Sequence, residues 1–161
     1  MYQRAVMKAR VSKALVRMNA IKKQMEIYKT ESPSLGSPKV HILYDPNASV
    51  AAGWARYEGS SELSQGLTCE GTGSNHVCSD DDFSFYGAMG RSGMGWITGR
   101  IEVYEKGSRF PFMVMRNCGN KWEKGCGESS FAPHPSYVCK WLGWGWEGLG
   151  HCRVAVPEII E

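Results

Sequence analysis

From Tyr2 to Lys29 the chain reads YQRAVMKARVSKALVRMNAIKKQMEIYK without a Gly or a Pro. Ala, Met, Lys and Arg dominate it, and these residues lose little freedom on entering a helix. One long helix is expected over residues 2–29. Met7, Val11, Ala14, Met18, Ile21, Met25 and Tyr28 recur at steps of three and four, which aligns them as a single apolar stripe. A stripe of this kind must be covered, and a sheet of the same domain is the simplest cover. The expected packing face is therefore Val11, Ala14, Met18, Ile21, Met25 and Tyr28.

Charge divides the chain at the same place. Residues 1–30 hold eight Lys or Arg against the single acid Glu26, whereas the remainder holds eleven basic and fifteen acidic residues. A basic helix suits phosphate, either in nucleic acid or in anionic lipid headgroups. Opposite signs on helix and body also suit attraction between copies, with the helix of one meeting the body of the next.

At 161 residues the chain has the size of one domain, and 1–161 is read as a single unit. After Thr30 the stretch ESPSLGSPK stops the helix and opens a variable loop region, 31–80, with a short helix expected over Val50–Tyr57. Residues 83–117 carry strand signals. Phe83–Ala88 is aromatic; Trp96–Tyr104 alternates; Phe110–Arg116 is apolar; and EKGS lies between the last two as a hairpin turn. The expected fold class is α+β, a long N-terminal helix packed on a small antiparallel meander. Residues 118–161 form a Cys-, Gly- and Trp-rich region with a helical turn ending at Gly143 and an edge strand over Val154–Val156.

The six cysteines, Cys69, Cys78, Cys118, Cys126, Cys139 and Cys152, include no CxxC. Zinc ribbons and thioredoxin-like centres need closely spaced thiols, so disulfides are the better account. Six cysteines allow many pairings; joining chain neighbours would pair Cys69 with Cys78, Cys118 with Cys126 and Cys139 with Cys152. Disulfides imply an exported chain, yet the first thirty residues lack the apolar core of a signal peptide. An export signal upstream of Met1 is therefore expected.

The order of elements, and above all the words of the helix, resemble the type IV pilins and the pseudopilins of type II secretion. The phrase ARVSKAL, Ala9–Leu15, is similar to the exposed second half of the pilin helix, and VCKWLG, residues 138–143, to a Cys-containing turn near the end of some minor pilins. The resemblance implies a non-enzymatic filament subunit that lacks its apolar N-terminal half-helix. It implies anchoring in the inner membrane through that segment before assembly, a cell-surface or extracellular location afterwards, and other pilin subunits as partners. It implies no catalytic residue and no cofactor.

Other chemistry is thinly represented. His41, His76, His134 and His151 form no metal-binding spacing, so no metal site is expected from them. Gly143, Gly145 and Gly148 match a dinucleotide fingerprint in letters only, because Trp144 and Trp146 fill the places that need small residues. Asp80, Asp81 and Asp82 could offer hard oxygens to calcium, or form a solvated turn. Trp141, Trp144 and Trp146 could stack on sugar rings, or form a satellite core. The alternative function is accordingly a secreted binding domain that recognises carbohydrate through these indoles or DNA through the basic helix.

Overall fold

In the computed structural model, which describes residues 2–32, 39–91, 97–109, 111–118, 121–126 and 140–144, the helix-forming stretch makes one helix, α1, over Tyr2–Glu31. At 1.5 Å per residue it is roughly 45 Å long. It stops where Ser32 precedes a proline, a position from which the helical conformation is sterically disfavoured; the Ser32 N–H still bonds the Tyr28 carbonyl at 2.8 Å. Val11, Ala14, Met18, Ile21, Met25 and Tyr28 are all buried. Each large side chain of this kind contributes about 1.5–3 kcal/mol when fully buried, which outweighs the tenths of a kcal/mol that separate helix propensities. Packing therefore holds α1 in place.

Among the described residues the helix lies on a sheet of eight strands: β1 (Lys39–His41), β2 (Trp54–Arg56), β3 (Thr68–Glu70), β4 (Val77–Ser79), β5 (Phe83–Arg91), β6 (Ile97–Glu105), β7 (Met113–Cys118) and β8 (Lys121–Cys126). The order along the main path is β2-β1-β5-β6-β7-β8. β5 and β6 pair over their full nine residues. On the other edge of β5, β4 pairs with its beginning and β1 with its end. β2 runs parallel to β1, so the sheet is mixed.

Two glycines set how closely helix and sheet approach. A Cβ at Gly87 of β5 would stand 2.9 Å from Ile21 Cγ2, and one at Gly99 of β6 would stand 2.8 Å from Met25 Sδ. Ile21 and Met25 thus sit in notches that any larger residue would fill. Ile101 and Val103 of β6 complete the floor, both fully buried.

This architecture corrects the expected small antiparallel meander. Four of the eight strands lie in the segment read as a variable loop, and one of their pairings is parallel. Each of those four has only three residues, too few for a period-2 pattern to show. In place of a helix over Val50–Tyr57 there is a turn closed by the Trp54 N–H on the Ala51 carbonyl, followed by β2; Gly53, at φ 81°, takes the left-handed conformation that turns the chain there. β8 carries no strand signal in the sequence, because KWEKGC is a charged strand with a glycine. Residues 140–142 are helical and end at Gly143, φ 70°. The expected strand Val154–Val156 lies outside the described residues.

Candidate functional site

Among the described residues, a group of chemically active side chains forms where β1, β2 and the β3–β4 hairpin meet. Cys69 and Cys78 face each other across that hairpin and are joined in a disulfide. The loop between them folds back tightly: the Asn75 N–H bonds the Thr72 carbonyl and the His76 N–H the Gly73 carbonyl. Gly71, at φ 84°, permits this, since a Cβ there would lie 2.2 Å from the Asn75 carbonyl oxygen. Gly73 lets the loop press against Trp54, whose Nε1 would be 3.2 Å from an added Cβ.

The fold delivers His76 buried beside the disulfide. Its Nδ1 is 3.0 Å from the Gly71 carbonyl oxygen, its Nε2 is 3.3 Å from the Asp45 N–H, and Nε2 is 3.9 Å from Cys78 Sγ. These contacts require the tautomer that carries its proton on Nδ1, because a carbonyl can only accept and an N–H can only donate. The Nε2 lone pair is thereby directed away from Gly71. The Cys69, His76 and Cys78 ligand atoms all lie within 4.8 Å of one another.

His41 of β1 packs behind this group, stacked on Trp54 at 4.2 Å between ring centres and 5.1 Å from the His76 ring. Its Nδ1 is buried and has no hydrogen-bond partner among the described residues. Burial, aided by the neighbouring His76 and Arg56, pushes its pKa from 6.5 down to about 4. His41 is therefore neutral at ordinary pH. Beside the hairpin lies a cavity of about 600 Å³ whose lining includes Asp45, Asn47, Glu62, Thr68 and Cys69. That volume is typical of small-molecule sites, although carboxylates, amides and hydroxyls make this lining more polar than most.

The sequence-derived candidates fall elsewhere. Asp80 accepts the N–H groups of Asp82 and Phe83, each at 2.8 Å, through Oδ1. Its Oδ2 is 3.9 Å from Arg17 Nε, and Asp82 Oδ1 is 3.3 Å from Arg10 Nε. Two of the three carboxylates named as candidate calcium donors therefore already face guanidinium groups. Of the three indoles, Trp144 packs against the core with Leu142, Trp141 is 43% exposed under Lys8, and Trp146 lies outside the described residues. On β6, Arg100, Glu102 and Tyr104 alternate onto one side of the strand. Glu102 is buried, ion-paired with Arg100 at 2.9 Å and accepting the Tyr104 hydroxyl at 2.9 Å. Burial, followed by the Glu102 charge, pushes Tyr86 up to about 12.

The other cysteine pairings divide as follows. Cys126 is disulfide-bonded, but the β7–β8 register sets it opposite Met113 and sets Cys118 opposite Lys121. Five strand residues, roughly 17 Å, separate the two positions, far beyond the 7 Å or so that a disulfide spans between Cα atoms. The Cys118–Cys126 pairing is thereby ruled out. Cys139 and Cys152 lie outside the described residues. Among the described residues, no helix is long and apolar enough to cross a membrane.

The spacing Cys69-x6-His76-x-Cys78 was visible in the sequence but matches no established metal motif. What makes it a cluster is the hairpin, which brings the two cysteines face to face. Searches against protein-family models, curated protein sequences and solved structures find no match for this chain.

Proposed function

We propose that this protein is a structural subunit of a pilus-like filament, at the cell surface or outside the cell, and that copies meet through the outward face of α1. The observation that carries this reading is the opposite charge of exposed side chains on the helix and on the body. Arg10 and Arg17 pair with Asp82 and Asp80, while Lys13 and Lys23 are exposed on the helix beside Val16, itself 73% exposed. Across the body, Glu58, Glu62, Glu70 and Asp81 are exposed. The helix of one copy can face these acids on the next. Such contacts are solvated, so they favour register and encounter rate more than affinity.

The test is assembly in the cells that make the protein. Shear-released material should contain it in high-mass assemblies that loosen as salt rises from 0.1 M to 1 M and the Debye length shrinks from about 10 Å to 3 Å. Charge reversal at Lys13 and Lys23 should lower assembly without lowering the melting temperature. A protein found only as monomer, with or without these substitutions, would exclude the reading. The exposed Trp141 supports a second reading, carbohydrate recognition; sugar binding lost in Trp141→Ala, with no assembly, would favour it.

A further inference from the structure

We infer that Cys69, His76 and Cys78 form, once the disulfide is reduced, a binding site for a soft divalent ion of the zinc class. Two thiolates and an imidazole are the donor set such ions prefer, and the three ligand atoms already lie within 4.8 Å of one another. A tetrahedral ion with bonds of about 2.3 Å to sulfur and 2.0–2.1 Å to nitrogen holds two sulfurs about 3.8 Å apart and a sulfur and a nitrogen about 3.6 Å apart. The Nε2 of His76 and Sγ of Cys78 stand at 3.9 Å, so this pair needs almost no movement. Reduction frees the two sulfurs to separate.

The surroundings are those of a ligating histidine. The Nδ1–H of His76 is held by the Gly71 carbonyl at 3.0 Å, the arrangement that fixes the tautomer and raises the basicity of the other nitrogen in metal sites. The lone pair that the ion would take now accepts the Asp45 N–H across 3.3 Å, a long bond that competes weakly. Cys69 also lines the polar cavity, which leaves room for an exchangeable fourth donor. Disulfide and ion are then alternative closures of one hairpin. A dithiol transfers two electrons and two protons to the disulfide, giving two thiols and its own cyclic disulfide; the ion then displaces both thiol protons as it binds.

The full chain, reduced with a phosphine under nitrogen, should bind one cobalt(II) per chain with the absorption of a tetrahedral thiolate site, and zinc should displace it. The oxidised chain should bind none. X-ray absorption of the zinc form should give two sulfurs and one imidazole nitrogen. His76→Gln, which keeps both thiols and a donor toward Gly71, should weaken binding by about tenfold or more. Cys69→Ser with Cys78→Ser should abolish it while the other four cysteines remain. Absence of binding, a four-sulfur shell, or unchanged affinity in His76→Gln would overturn the assignment. Should the double serine variant fail to fold, the sulfur count on the unsubstituted chain decides alone.

Discussion

Ile21 in its Gly87 notch gives the sharpest test of how α1 is held. Replacing Ile21 with Ala removes three buried carbons, about 2.4 kcal/mol at 0.8 per methylene. The cavity left behind raises the loss to about 3–4 kcal/mol, within the range for core Ile→Ala changes. Gly87→Ala alone should cost about 1–3 kcal/mol by overpacking, because the new Cβ would stand 2.9 Å from Ile21 Cγ2. In the double variant that methyl has gone, and the alanine at 87 partly fills the space it left. Only Leu43 Cβ, at 3.3 Å, still crowds it. The double variant should therefore be at least about 1 kcal/mol more stable than the sum of the single losses predicts. Urea unfolding of the disulfide-intact proteins measures this, provided the slope m is unchanged. Additivity within about 0.3–0.5 kcal/mol would refute a direct contact between helix and strand at this point.

Reducing the Cys69–Cys78 bridge, which closes a sequence separation of nine, should lower stability by about 2–3 kcal/mol through the loop entropy released to the unfolded chain; the Cys69→Ala, Cys78→Ala variant should match it in denaturant titration. Asp80→Ala should cost about 1–3 kcal/mol because it strips two backbone N–H groups of their acceptor, whereas Asp82→Ala, losing a half-exposed ion pair with Arg10, should cost less than about 1 kcal/mol. His41 has its folded pKa depressed to about 4 from 6.5, so between those values the unfolded chain binds a proton that the folded chain refuses. Stability should then fall as pH drops from 6.5 towards 4, by at most about 1.4 kcal/mol per pH unit from this group, and His41→Phe should flatten that slope.

What the sequence disclosed and what it withheld follow from the range of the interactions involved. The stripe from Val11 to Tyr28 could be read directly, since helical periodicity repeats within a few residues. β5 and β6 could be read approximately, because nine-residue strands carry enough alternation to register. β1 and β2 could not: KVH and WAR hold too little pattern, and β1 finds its place by pairing with β5 nearly fifty residues on. The candidate site was hidden for the same reason. His41, Trp54 and His76 stand far apart in sequence and meet only through strand pairing and a loop that Gly71 and Gly73 allow to close. Glu102 and Arg100 share one face of β6, and alternation marks two faces without saying whether both are covered.

A photo-crosslinker placed at Val16, on the outward face of α1, tests the proposed assembly most directly when the protein is made in its own cells. The expected result is an intermolecular product, joining two copies or a copy and a second filament subunit, that maps to the segments bearing Glu58, Glu62 and Glu70 and weakens in 1 M salt. A crosslinker at Lys106, exposed in the β6–β7 turn, should give much less of it. Equal yields from the two positions, or no intermolecular product from Val16, would contradict assembly through this helix face.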